Sequence, residues 1–193
     1  MQRTIFTKGK SKEISVTNYI VLILSSKQAQ KFGGDYTKIL AIDQASRHSA
    51  FSIGVNGKLT DYGELNANGE GDDRIYEMAV LIKKKIKQVK PDVVYFENIQ
   101  LQAGNVSVYQ MLARLQGELI FMFKEMKIPY KIVAPVTWKA HIGICKGKRD
   151  AQKQACIELM QERYGLDLFG NDDIADSLGI LTYAIENEKE ILT

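Results

Sequence analysis

The chain has 193 residues, and 45% of them are apolar, which is enough for one domain with a substantial core. Two cysteines cannot build a disulfide framework, and the longest apolar run near the start, residues 19–24, is too short for a membrane span or a signal peptide. With a net charge of only +3, these features favour a cytoplasmic protein with no membrane association.

Residues 1–37 are predicted to form an N-terminal extension of unknown role. They contain one candidate strand, at residues 19–24, among lysines, serines and a Gly-Gly pair. An added edge strand, a flexible basic arm and an inaccurate start of the reading frame all agree with this composition. A regular succession of predicted strands and helices begins at Lys38, so residues 38–193 are taken as the functional domain.

Three antiparallel strands are predicted at the start of this domain. Residues 38–43 form a continuous apolar run that ends at Asp43, which is typical of a strand covered on both faces. A second strand at residues 49–55 leads into Asn56-Gly57, the strongest short hairpin signal, and a third strand follows at residues 58–63. A three-strand meander is therefore expected.

A helix and a strand should follow the meander. Asp72 or Asp73 can cap a helix whose apolar residues keep a three-to-four spacing as far as Val89. Pro91 ends this helix, and residues 91–97 read as a second apolar strand that ends at an acid, Glu97.

A long helix, apolar on two faces, is predicted from Asn105 or Ser107 to about Lys127. The expected core stripe consists of Val108, Met111, Leu112, Leu115, Leu119, Met122, Phe123 and Met126. The second face is small or apolar and consists of Val106, Ala113, Gly117, Ile120 and Phe121. Such a helix packs against two partners, and the second is either another subunit or the N-terminal segment.

The last third of the chain is first basic and then acidic. A strand at residues 128–133, a turn at 134–139 and a glycine-broken basic loop at 141–149 precede helices at about 150–164 and 171–187. Residues 124–153 hold eight basic and two acidic side chains, whereas residues 154–193 hold two basic and nine acidic ones. This distribution is typical of phosphate contacts beside a cation site.

Acidic side chains stand at the ends of two strands and at the start of the last helix. Asp43 and Glu97 end their strands, and Asp173 and Asp176 lie three residues apart on one helix face. If the two strands are parallel neighbours, their acids meet at the edge where the loops gather. Crowded carboxylates repel one another and require cations, and oxygen ligands without His or Cys favour Mg²⁺ or Mn²⁺ over zinc.

This ordered set resembles the ribonuclease H superfamily and, more narrowly, the RuvC-like Holliday junction resolvases of phages and Gram-positive bacteria. The matching segments lie within residues 38–185, at 39–46, 94–100, 134–139 and 173–180. The resemblance implies an α/β fold of the ribonuclease H type. It has a five-stranded mixed sheet, made of an antiparallel three-strand meander plus two parallel strands, flanked by helices.

The resemblance also assigns roles to individual residues. The catalytic and metal-binding acids would be Asp43, Glu97, Asp173 and Asp176, with Asp172 as the alternative for the third. The positions at which the family contacts DNA are occupied by Trp138, Lys139, His141, Lys146, Lys148 and Arg149. Some cellular members place an aromatic residue near the junction centre, three positions after the glutamate, whereas this chain has Gln100 there, which is also expected to contact DNA.

The activity that the resemblance implies is metal-dependent nicking of four-way (Holliday) or otherwise branched DNA. Two Mg²⁺ or Mn²⁺ ions about 4 Å apart, bridged by Asp43, would activate water and stabilise the leaving 3′ oxygen. Symmetric incision needs two sites, so a two-fold homodimer is expected, acting at the nucleoid of a bacterial cell.

Several alternatives remain open at the level of sequence. Trp138 either stacks on a base or ribose or anchors the turn after the fifth strand, and His141 either contacts phosphate or assists proton transfer. A related nuclease that cuts RNA–DNA hybrids or structured RNA would use the same acids, and a non-cleaving module could bind branched DNA. A sugar-kinase or actin-like ATPase would need a second glycine-rich phosphate loop and a longer chain, and neither is found.

Overall fold

One mixed β-sheet organises the molecule. The computed structural model describes residues 38–101 and 105–191, and the predicted extension with its strand at residues 19–24 lies outside them. Within the described residues the strands are β1 (Lys38–Asp43), β2 (His48–Val55), β3 (Lys58–Asn66), β4 (Val93–Glu97) and β5 (Tyr130–Val133). The strand order is β3-β2-β1-β4-β5, with β1, β2 and β3 antiparallel and β4 and β5 parallel to β1. The predicted fold class is confirmed.

Helices cover both faces of the sheet. In the described part of the chain they are α1 (Gly71–Val89), α2 (Val106–Glu125), α3 (Pro135–His141), α4 (Arg149–Tyr164) and α5 (Asp172–Ile191). Ile39 and Ala41 of β1 pack in the layer formed with α3, α4 and α5. Leu40 and Ile42 pack in the opposite layer, with α1 and α2. Because alternate side chains of a strand point to opposite faces, this central strand needs apolar residues at every position.

The hairpin between β2 and β3 is the one that the sequence predicts. Asn56 and Gly57 have φ angles of 53° and 73°, as a two-residue turn matched to the strand twist requires. β3 is longer than expected, since its pairing with β2 continues to Asn66, opposite His48.

Two helix predictions need correction. Asp72 and Asp73 lie inside the first turn of α1, while Glu70 occupies the capping position without a side-chain hydrogen bond. The fully buried residues of α2 all lie between Leu115 and Phe123, and Val108 of the predicted core stripe is 53% exposed. The stripe was therefore predicted too far toward the start of the helix.

The segment predicted as a turn after β5 is the short helix α3. Pro135 stands in its first turn, where the missing N–H needs no partner. Trp138 anchors the helix because its side chain is fully buried. A Cβ at Gly179 would lie 2.5 Å from Cζ3 of this indole, so α5 can approach Trp138 only through a glycine.

No helix among the described residues combines the length and the apolar character that a bilayer span requires.

Candidate functional site

Asp43 and Glu97 come together at the carboxyl edge of the two central parallel strands. Ile42 of β1 is paired with Phe96 of β4, so the next residue of each strand lies beside the other. By the alternation of side chains, both acids face the layer that contains α5. The prediction that these strands are parallel neighbours is confirmed, and it accounts for the meeting of two acids that are distant in sequence.

Helix α5 brings further acids to the same edge. Asn171 Oδ1 accepts a hydrogen bond of 2.9 Å from Ile174 N at the start of the helix. Asp172, Asp173 and Asp176 then line one cavity of about 450 Å³ together with the two strand acids. Asp172 is paired with Lys153 of α4, whereas Asp173 is among the charges that raise the pKa of Asp43. The ion pair of Asp172 with Lys153 favours Asp173 as the third acid, and the choice between the two stays a prediction.

Burial and mutual repulsion raise the pKa values of these acids. For Asp43, burial is the larger cause, and the charges of Glu97, Asp176 and Asp173 raise its pKa further, well above the usual range. Burial also raises the pKa of Glu97 to about 7, against the opposing effect of a hydrogen bond from Trp138. Ionisation of all the carboxylates in the cavity is therefore unfavourable unless a cation binds there.

Lys139 of α3 is an internal counter-ion of the cluster. Its Nζ lies 3.3 Å from Asp176 Oδ2, and the two side chains are only 18% and 15% exposed. Its charge acts to lower the pKa values of Asp43, Glu97 and Asp176, all of which burial raises. Arg149 of α4 also lines the cavity and opposes the rise in the pKa of Glu97.

Trp138 holds the Glu97 carboxylate from the core. Its Nε1 donates a 2.9 Å hydrogen bond to Glu97 Oε1, and its side chain has no exposed surface. The indole has no surface open to a base or ribose in this structure, and its place among the DNA contacts stays a prediction. The alternative prediction, that Trp138 anchors the segment after β5, describes its position.

The cavity has the ligand atoms that a hard divalent cation prefers, but its side chains are not yet arranged around a common point. Its acids offer only oxygen as a ligand atom. Asp176 Oδ1 is buried and accepts no hydrogen bond from a nitrogen or oxygen of the described residues, and the Cys156 thiol contacts the same carboxyl group. Yet within residues 38–101 and 105–191 no three His, Cys, Asp or Glu side chains already stand as a group able to hold one ion. Lys139 engages one carboxylate oxygen of Asp176, so an arriving cation has to compete with this contact.

The remaining predicted DNA contacts divide into two groups. Gln100 lines the cavity with Lys139 and Arg149. Lys146 and Lys148 are exposed on the loop between α3 and α4, outside the cavity lining. His141 is also outside it, and its Nε2 lies 2.6 Å from Glu186 Oε2.

Lys153 and Gln44 are among the polar residues of the cavity that sequence reasoning missed. Lys153 follows Arg149 by four positions in α4, so helical spacing alone indicates that it shares the same face. Gln44 comes directly after Asp43 and is only 6% exposed. Its residue type gave no signal, because glutamine after a strand usually lies in solvent.

No family model matches the chain, and a search of curated proteins gives no match. Solved structures do resemble it. RuvC of T. thermophilus, in complex with a Holliday junction substrate, is 14% identical with a TM-score of 0.63, covering 79% of this chain and 96% of its own. The Fowlpox virus resolvase in complex with Holliday junction DNA is 15% identical with a TM-score of 0.56, covering 79% and 99%. The yeast mitochondrial Holliday junction resolvase is 12% identical with a TM-score of 0.54, covering 80% and 84%. The chain therefore shares the fold of these resolvases.

The stability of the cation-free protein should depend on Glu97 as pH changes. Its raised pKa means that the folded protein binds a proton that the unfolded chain has lost between about pH 4.5 and about pH 7. The free energy of unfolding should therefore fall as pH rises through this interval. Glu97→Gln should flatten the fall and be more stable than the wild type at pH 8 by on the order of 2 kcal/mol.

Urea unfolding at several pH values between 4.5 and 8, in the presence of a chelator, measures this effect. Glu125→Gln, at an exposed position of α2, is the matched control and should keep the wild-type slope. Equal slopes for wild type and Glu97→Gln would contradict the prediction.

Removing the internal counter-ion should strengthen cation binding. Lys139→Met takes away the positive charge beside Asp176, so Mn²⁺ should bind at pH 8 with an affinity roughly three- to tenfold higher than to the wild type. Titration calorimetry without nucleic acid checks this, with Lys83→Met on the exposed side of α1 as control. Unchanged or weaker Mn²⁺ binding would show that Lys139 does not compete with the cation.

Proposed function

We propose that the chain is a divalent-cation-dependent endodeoxyribonuclease that nicks four-way (Holliday) or other branched DNA, similar to the RuvC-like resolvases of phages and Gram-positive bacteria. Residues 38–193 would form its nuclease domain. The observation that carries the proposal is the convergence of Asp43, Glu97, Asp173 and Asp176 on one cavity with basic side chains in its wall. Two of the solved structures with this fold are themselves complexes with Holliday junction DNA.

The four acids would hold two Mg²⁺ or Mn²⁺ ions. Bound ions of this kind supply Lewis acidity that activates a water molecule and stabilises the leaving 3′ oxygen of a phosphodiester. Asp43 stands beside Glu97, and the charges of Asp173 and Asp176 help to raise its pKa, so it would be a ligand common to the set. Trp138 would keep the Glu97 carboxylate in place with and without a bound cation, because the indole N–H that donates to it is neutral.

Basic side chains around the cavity would receive the phosphate backbone. Lys139 and Arg149 line the cavity from α3 and α4, so both can approach a phosphate that lies over the acids. Lys146 and Lys148 project from the adjoining loop, which is tied to α4 because Gln152 Nε2 donates to Cys145 O and Gly147 O, each at 3.1 Å. This arrangement extends positive charge from the cavity along one side of the domain and implies salt-dependent affinity.

Cleavage should require Asp43 and should favour branched DNA. Wild-type protein is incubated with a synthetic four-way junction, a flap, a linear duplex and an RNA–DNA hybrid, each with Mg²⁺ or Mn²⁺. Paired nicks in the junction are expected, and Asp43→Asn should lower the cleavage rate at least about a hundredfold while junction binding persists. Asp61→Asn, at an exposed position of β3 outside the cavity, is the matched control and should cleave normally.

The other outcomes of this experiment separate the competing functions. Preferential cutting of the hybrid would replace the proposal with a hybrid-directed nuclease of the same fold. Junction binding without cleavage under either metal ion would favour a non-cleaving module that recognises branched DNA.

A two-fold homodimer is part of the proposal, because paired incision of a junction needs two sites. The helix α2 carries one apolar stripe away from the core, formed by residues that helical spacing places together: Val106, Ala113, Gly117 and Phe121. Val106 is 55% exposed and Phe121 is 66% exposed. The small residues Ala113 and Gly117 leave room for a second helix to approach, and the exposed side chains of Val106 and Phe121 provide apolar surface for it to bury.

Phe121→Glu should therefore weaken the dimer. Light scattering coupled to gel filtration should give a dimer for the wild type and a shift toward monomer for Phe121→Glu, since a charge is costly in an apolar interface. Phe169→Glu is the matched control, because Phe169 is 90% exposed and lies in the loop before α5. A wild-type monomer both with and without junction DNA would remove this part of the proposal.

A further inference from the structure

Two glutamine side chains form a bridge beside the acidic cavity, and one of them, Gln44, belongs to its lining. Gln44, the residue after Asp43, is only 6% exposed. Its Nε2 donates two hydrogen bonds of 2.8 Å, one to the backbone oxygen of Glu97 and one to Oε1 of Gln116 in α2. The bridge thus connects the ends of both acid-bearing strands with the long helix.

The direction of every amide in this bridge is determined. Gln116 Oε1 also accepts a 3.2 Å hydrogen bond from the backbone N of Ile99, and Gln116 Nε2 donates to Asn98 Oδ1 at 3.3 Å. A backbone carbonyl at one end can only accept and a backbone N–H at the other can only donate. Gln44 must therefore present its NH₂ group to Glu97 O, and Gln116 must present its oxygen to Ile99 N. Flipping either amide would place two acceptors or two donors against each other.

Glu97 is consequently held at two points. Its backbone oxygen is bound by Gln44 and its carboxylate by Trp138, while the N–H of the next residue, Asn98, donates to Val133 O at 2.8 Å. The segment from Glu97 to Ile99 has little freedom to move relative to Asp43. We propose that the Gln44–Gln116 bridge is the positioning element that sets the Glu97 carboxylate against Asp43 for cation binding, an inference that rests on the proposed nuclease function.

The contribution of Gln44 is directional. Its Nε2 satisfies the backbone oxygen of Glu97 and Oε1 of Gln116, which an apolar side chain of the same size would leave without this donor. A buried glutamine at this position therefore ties Glu97 to the residue that follows Asp43, in addition to filling space in the core.

Four variants test the bridge. Gln44→Met and Gln116→Met keep the side-chain volume and remove the hydrogen bonds, and the double variant measures their coupling. Gln116→Glu keeps the oxygen that accepts from Gln44 and Ile99, and Asn98 can turn its amide to donate to the second oxygen. Gln88→Met, at an exposed position of α1 outside the cavity, is the matched control.

Single-turnover cleavage of a four-way junction is measured over a range of Mn²⁺ concentrations, and junction affinity is measured separately in a chelator. Gln44→Met and Gln116→Met should each raise the half-saturating Mn²⁺ concentration roughly tenfold and leave junction affinity unchanged. The double variant should be no worse than either single one. Gln116→Glu should stay within about threefold of the wild type, because it keeps the accepting oxygen.

Wild-type Mn²⁺ dependence in Gln44→Met would overturn the inference, as would a Gln116→Glu variant as impaired as Gln116→Met. The Mn²⁺-induced rise in Tm is recorded for the same variants without DNA, so the bridge can be judged even if the wild type cuts no junction. In that case the proposed function fails, and a reduced rise in Gln44→Met and Gln116→Met still supports the bridge. A rise equal to that of the wild type counts against it.

Discussion

Repulsion among carboxylates confined to one partly buried cavity is the constraint around which this structure is built. Asp43 and Glu97 are placed side by side by the register of two parallel strands, and α5 adds Asp173 and Asp176. Burial raises the pKa of each of these acids, and neighbouring charges oppose their ionisation further. The two apolar layers on either side of β1 supply the folding energy that holds the acids together, and Lys139 offsets part of their charge.

The support for Glu97 shows how a charged residue can be oriented by neutral partners. Trp138 reaches its carboxylate from the core, and Gln44 binds the backbone oxygen of the same residue. Gly179 in turn leaves room for the indole, so a residue with no side chain is needed for the position of an acid on another element. Neutral donors keep this geometry whether or not a cation is bound, whereas Lys139 has to yield its contact.

Much of the fold was predictable because its signals are local. The apolar run ending at Asp43, the Asn56-Gly57 turn and the acid after β4 each follow from a few adjacent residues, and parallel pairing then brings the acids together. The short helix α3 was missed because Ala134-Pro135 is equally suited to a turn, and only the burial of Trp138 decides between them. The Gln44 bridge was beyond prediction, since its partners are 53 and 72 residues away in the chain.

The order of elements along the chain has a consequence for biosynthesis. Asp173 and Asp176 lie in α5, which leaves the ribosome after every strand of the sheet and also supplies much of the layer that covers β1. A nascent or prematurely terminated chain that stops before this helix lacks both the covering layer and half of the acidic set. Translation products of that kind cannot assemble the cavity, so the complete acidic set exists only in chains that have been synthesised through α5.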